Sequence, residues 1–298
     1  MLMAVLAGAA ALVVSTGSAF ADPSGQPSAP QLHPVAARTG ASTTAGPWTQ
    51  VGSYSQPTLT SGQGLAFVQR ATGQSVIYRG NASIPFRLYL QGWQHIGDPG
   101  AWRGYVVDAY QGASTGTSKL FEITTPTGQR IDLLHPLASR EQYNNSFATI
   151  SPDGKWLVSG EWNDMTRLLV FRMPPLTSGM ASSGTLRLAG TIALDHVVRN
   201  VQGCDFVTAQ QLLCSSDEGD TDLFGVSRPL LQVDLATALG PNTSGTVTAL
   251  GGLPQVSICS GTFETEGIGY AAPNDLRVEM IPPSPCSIST TVYQFRRS

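Results

Sequence analysis

The stretch Asn144-Asn145-Ser146-Phe147-Ala148-Thr149-Ile150-Ser151-Pro152-Asp153-Gly154-Lys155-Trp156-Leu157-Val158-Ser159-Gly160 decides the fold. Phe147 to Ile150 is a short β-prone run, and Trp156 to Val158 starts another. Between them, Ser-Pro-Asp-Gly is a turn with a mechanism. Proline presets φ, the Asp side chain bonds nearby backbone, and glycine accepts positive φ. The stretch therefore predicts a hairpin, with a polar residue, Asn145, just ahead of its first strand.

The same grammar recurs along the chain. A lone strand is expected at 48–54. A first group has strands at 64–69, 75–79 and 86–90; a second at 104–110, 119–124 and 130–134. A third has them at 147–150, 156–161, 167–172 and 185–194; a fourth at 204–208, 211–215, 230–235 and 245–250. A last has 267–271, 276–281 and 290–295. Groups of three or four short strands repeating every 40 to 60 residues or so are the pattern of propeller blades. The fold class expected is all-β, a five-bladed β-propeller, with six blades as the variant. The last group is one strand short and the segment at 48–54 is one strand over. That segment is therefore expected to complete the last blade and close the ring, which removes unpaired edges. A sandwich gives no reason for the grouping, and a β-helix needs a shorter and stricter repeat.

Composition agrees. Charged residues make up 12% of the 298, and the 32 glycines and 20 prolines supply turns. A net charge of −3 offers no basic stripe, which argues against nucleic acid. Residues 1–21 contain an apolar run ending Ser18-Ala19-Phe20-Ala21 and read as a secretory signal peptide. The alternative is a membrane anchor, against which the run is short and broken by Ser15 to Ser18. Residues 22–46, rich in Ser, Pro, Ala and Gly, read as a disordered leader, and 47–298 as one propeller domain with no stable membrane span. The expected location is extracellular. Four cysteines in an exported chain imply two disulfides, with three connectivities open. Cys204 and Cys214 flank the hairpin tip Thr208-Ala209-Gln210 symmetrically and would face each other, which leaves Cys259 for Cys286. No Cys-x-x-Cys pattern suggests zinc.

Each group opens on a polar residue. Gln63 precedes Gly64, and His95 precedes Ile96-Gly97-Asp98. Asn145 precedes Ser146, Gln202 precedes Gly203-Cys204-Asp205, and Glu266 precedes Gly267. In a propeller the first strand of each blade lines the axis, so these side chains should converge, with small residues letting the backbones crowd. Gln63, His95, Asp98, Asn145, Gln202 and Glu266 are thus the candidate ligand-binding set. Carboxylates among amide oxygens suit calcium or another divalent cation; a lone buried carboxylate would also be a perturbed acid. Equally open is that these groups bond each other and trapped water.

Ser151-Pro152-Asp153-Gly154-Lys155-Trp156-Leu157-Val158 resembles the strand-turn-strand of WD-like blades. Thr265-Glu266-Gly267-Ile268 with Leu276-Arg277-Val278 resembles the blade opening of phytase-like, esterase-like and gluconolactonase-like propellers. That resemblance implies a calcium-type ion on Glu266 and Asn145, used for lactone, ester or phosphoester hydrolysis. No His-based catalytic pair stands at a family spacing, and five blades are expected here rather than six. His95-Ile96-Gly97-Asp98 and Gly160-Glu161-Trp162 are similar to stretches of secreted actinobacterial propellers, which imply no activity.

Other acids are weaker candidates. Asp217-Glu218-Gly219-Asp220-Thr221-Asp222 lacks EF-hand spacing and reads as a solvated loop. Asp195-His196 beside Arg199 reads as a loop salt-bridge cluster. Two function classes follow: a scaffold recognising a small molecule, glycan or extracellular protein, and a metal-dependent hydrolase.

Overall fold

The computed structural model describes residues 44–112, 116–142, 147–176 and 181–297. Asn145 lies outside them. The chain divides into residues 1–40, also outside, and a compact unit of residues 41–298 that holds every element below.

In chain order the unit begins with β1 (Thr44–Ala45), β2 (Trp48–Pro57) and the short helix α1 (Thr58–Ser61). The first blade is the hairpin β3 (Gly64–Arg70) and β4 (Gly73–Arg79), followed by α2 (Phe86–Leu90). The second holds β5 (His95–Ile96), β6 (Gly100–Trp102), β7 (Tyr105–Gln111), β8 (Ser118–Thr124) and β9 (Arg130–Pro136). The third holds β10 (Thr149–Ile150), β11 (Trp156–Ser159), β12 (Asp164–Arg172) and, after the detached β13 (Ser183–Thr185), β14 (Leu188–Arg199). The fourth is the meander β15 (Val201–Thr208), β16 (Gln211–Ser216), β17 (Pro229–Leu235) and β18 (Asn242–Gly252). The fifth is β19 (Glu264–Ala271), β20 (Asp275–Ile281) and β21 (Ser289–Arg297), completed by β2.

The closure is the one expected. β2 runs antiparallel to β21 from Trp48↔Arg297 to Pro57↔Ser289. β1 hairpins onto β2, so regular structure starts inside the stretch read as leader. Two outer edges are covered in ways the sequence did not announce. β13 leaves the third group and pairs in parallel with β9, and β14 pairs in parallel with β18. Both contacts hide backbone donors and acceptors that would otherwise face solvent.

The founding hairpin is real, with Thr149↔Val158 and Ile150↔Leu157 in register. Its turn uses the predicted parts: Gly154 adopts φ 73°, its N–H meets the Ser151 carbonyl at 2.8 Å, and Ser151 Oγ donates to Asp153 Oδ1 at 2.7 Å. One expected strand is wrong. Residues 86–90 form helix α2, with the Pro85 carbonyl accepting from the Leu88 and Tyr89 N–H groups at 2.8 and 3.0 Å. Phe-Arg-Leu-Tyr-Leu alternates like a strand, but Pro85 starts the helix and only Leu88 is buried. The first blade is consequently a two-stranded hairpin.

The core lies between blades. Phe147, Val158, Val170 and Ile192 of the third pack against Cys204, Phe206, Leu212 and Val247 of the fourth. Trp48, Leu276, Val278 and Phe295 of the fifth meet Leu213 and Leu230 of the fourth. Cys204–Cys214 bridges a directly opposed pair of β15 and β16, and Cys259–Cys286 ties the loop before β19 to the one after β20. No helix among the described residues is long and apolar enough to cross a membrane.

Candidate functional site at the propeller axis

Asp98 sits at the centre. It lies in the short segment between β5 and β6 and is 1% exposed. Its Oδ1 accepts the Leu65 N–H at 2.9 Å and its Oδ2 the Ile268 N–H at 3.3 Å, while its carbonyl accepts from Ala148 at 2.9 Å. One residue thus ties the first, third and fifth blades to the second. Three glycines make the room. A Cβ on Gly64, Gly203 or Gly267 would lie 2.3, 2.1 or 2.0 Å from an Asp98 oxygen, closer than atoms can approach. These glycines follow Gln63, Gln202 and Glu266, so the polar-then-small pattern marks the places where backbones crowd the axis.

The candidates are brought together unevenly. The Gln63 amide approaches Glu266 Oε1 at 3.5 Å, and Glu266 is 2% exposed. Gln202 is buried on β15. His95 pairs its backbone with Gln111 on β7; burial holds its imidazole down to about 4, so it is neutral. Asn145 cannot be placed.

A residue the sequence reading missed completes the set. Glu279 of β20 is fully buried, and among the described residues neither carboxylate oxygen makes a well-formed hydrogen bond, the Gly64 N–H being the one donor near it. Burial, first, and the neighbouring Asp98 charge raise its pKa well above the carboxylate range, the Gly64 N–H pulling the other way. Glu266 is raised by burial and by Glu264, Glu279, Asp217 and Asp98. Asp98 is raised by burial and by Asp205, against its two backbone donors. The only trace of Glu279 in the sequence is an acid inside the apolar run Leu276 to Ile281.

Three buried carboxyls therefore act on one another at the axis, and among the described residues none of them is ion-paired with a Lys or Arg. Burying a carboxylate without a partner is costly, so each must take up a proton or share a cation. Their oxygens are not drawn into one tight shell. Among the described residues the only group of three or more such ligands with atoms all within 4.8 Å of one another is Glu218, Asp220 and Asp222. There the Arg199 guanidinium already meets Glu218 at 2.8 Å and Asp222 at 3.2 Å, and Glu218 is buried, so the stretch expected to be a solvated loop is in part a buried ion-paired one. Asp195 and His196 pair at 2.9 Å on the exposed β14, a surface pair rather than part of an axial acid–base couple.

At the other end of the axis is a cavity of about 250 Å³, lined from all five blades by Phe67, Trp102, Ile150, Asp205, Tyr270 and their neighbours. The half-buried Asp205 accepts from the Phe206 and Tyr270 N–H groups, each at 2.8 Å, and from Thr149 Oγ1 at 3.2 Å. Burial nevertheless pushes its pKa up to about 6.

No family model matches the chain, and no curated protein matches it. Among solved structures, the native arabinanase Arb43A of Bacillus subtilis is similar at 13% identity over 83% of this chain and 89% of that one, with a TM-score of 0.41. A likeness of that degree says nothing about activity, and the propeller assignment rests on the strand pairing itself.

Proposed function

We propose that this chain is an exported recognition protein whose propeller axis holds a divalent cation of calcium's kind between Glu279, Glu266 and Asp98. One observation carries the reading: Glu279 is wholly buried with no side-chain partner among the described residues and only the Gly64 N–H near its carboxylate, beside two further buried acids, and none of the three is ion-paired with a Lys or Arg among the described residues. Calcium takes six to eight oxygens at about 2.3–2.6 Å in flexible geometry, so the three acids would draw together around the ion, with the Gln63 and Gln202 amides and water filling its shell. The two disulfides fit an oxidising compartment. Binding is preferred to hydrolysis because no catalytic pair can be assigned: burial keeps His95, the one histidine of the candidate set, neutral.

The test is calcium-dependent melting of the purified chain after chelation and dialysis, with metal content measured in parallel. A bound ion stabilises the native state by about 2.7 kcal/mol at a hundredfold excess over Kd. Glu279→Gln keeps the shape and removes the charge, and should abolish the response. An unchanged melting temperature on adding calcium, with no metal retained, ends the reading.

A further inference from the structure

The cavity at the opposite end of the axis is independent of the cation reading, because none of the three axial acids lines it. We propose that this mouth is a binding site for a single neutral sugar ring, with the Asp205 carboxylate accepting a ligand hydroxyl between the aromatic walls of Phe67, Trp102 and Tyr270.

Size sets the first limit. About 250 Å³ falls just below the roughly 300 Å³ at which sites for drug-sized molecules begin, so the space suits one ring rather than a chain. The polar chemistry sets the second. A carboxylate has about four lone-pair positions. Three are taken, by Thr149, Phe206 and Tyr270, and two of these donors are backbone N–H groups that cannot swing away. One position remains on Oδ2, fixed in direction by strands of three blades. A hydroxyl donor matches it, whereas a ligand carboxylate or phosphate would face like charge.

The aromatic walls separate a sugar from an organic cation, the other ligand that pairs aromatic faces with one carboxylate. Two of the rings already carry cations. The Arg103 guanidinium lies 4.8 Å from the centre of Trp102, and that of Arg277 lies 4.9 Å from Phe67. The attraction of those two rings for a second cation is therefore partly used up, while the C–H face of a neutral ring does not depend on it. The walls are also held rigidly. Trp102 Nε1 donates to the Pro152 carbonyl at 3.0 Å, the ring lies against Gly154, and Tyr270 Oη donates to the Pro273 carbonyl at 2.7 Å. A site built this way loses little freedom on binding.

The experiment is calorimetric titration of the full chain with glucose, galactose, arabinose and N-acetylglucosamine, and with choline as the cationic probe, each with and without calcium. Saturable binding of at least one sugar at about millimolar affinity is expected, since one small ring offers few contacts. Choline should not bind. Asp205→Asn should weaken the sugar at least tenfold. Because Asp205 also ties strands together, a second variant is needed that leaves those bonds alone. Ala272 is exposed at the rim, and Ala272→Trp should close the mouth and abolish binding while the melting temperature stays that of the parent. Failure of all four sugars to bind the folded parent, choline binding that Ala272→Trp blocks, or sugar binding that survives Ala272→Trp would each overturn the proposal. None of these outcomes bears on calcium-dependent melting, so the two readings fail separately.

Discussion

Closure of the ring by the N-terminal strand makes a quantitative prediction at Trp48. The side chain is 2% exposed in the fifth blade's core, with Tyr270 edge-on at 6.0 Å between ring centres. Trp48→Ala removes the largest side chain that β2 contributes to this core, and the strands around it are paired on both sides and cannot collapse into the space. Such truncations cost about 3–5 kcal/mol. At about 2–4 °C per kcal/mol for a domain of this size, the melting temperature should fall by roughly 6 to 20 °C. Val51→Ala on the same strand is the control: Val51 is 57% exposed, and its loss should cost less than about 0.5 kcal/mol. Thermal melts and urea titrations of the parent and both variants supply the numbers. A double-mutant cycle with Tyr270→Leu locates the effect, because an edge-to-face pair contributes about 0.5–1.5 kcal/mol beyond area. If Trp48→Ala melts with Val51→Ala, or if the cycle gives no coupling to Tyr270, β2 does not complete the fifth blade.

Four further outcomes are expected. Gly203→Ala would put a methyl 2.1 Å from Asp98 Oδ2, with Asp98 pinned by two blades, and should lower stability in urea by at least the 1–3 kcal/mol or so of an overpacked core. Glu279→Gln should cancel a calcium-induced rise in melting temperature that would otherwise reach roughly 5 to 11 °C at a hundredfold excess over Kd. Lys119 is fully buried, 2.9 Å from Glu141 and 3.1 Å from the Gly160 carbonyl, so Lys119→Met should cost about 3–5 kcal/mol in a urea titration by leaving Glu141 short of a partner. Burial would raise the Glu141 pKa, but His135, Lys119 and the Ala138 N–H outweigh it and hold it down to about 2; a depressed acid stabilises the fold above its unfolded pKa, so melting temperature should drop as pH falls from about 4.5 towards 2, and less so in Glu141→Gln.

What was legible in the sequence follows from the range of the physics involved. Turn chemistry is local, so Ser151-Pro152-Asp153-Gly154 announced its hairpin, and the symmetric spacing of Cys204 and Cys214 announced their bridge. Closure was legible by counting, because a surplus strand at one end and a deficit at the other have one joint solution. Residues 86–90 misled because five residues of alternating polarity fit a strand and a short helix alike, and the deciding proline lies one position outside the run. The glycines after Gln63, Gln202 and Glu266 were legible as crowding at the axis. Asp98 was legible as a member of the same set, but not that its one side chain fills the space left by all three glycines. Glu279 was hidden more deeply. A second strand normally faces its neighbours rather than the axis, and the first blade, reduced to a hairpin, still sets Gly64 against this acid. Strand direction separates the acids at one end of the axis from the aromatic walls at the other. First strands begin at the crowded polar end, where only glycine fits between side chains. They leave at residues such as Phe67, Trp102 and Tyr270, where the sheets diverge enough for a ring to stand between them.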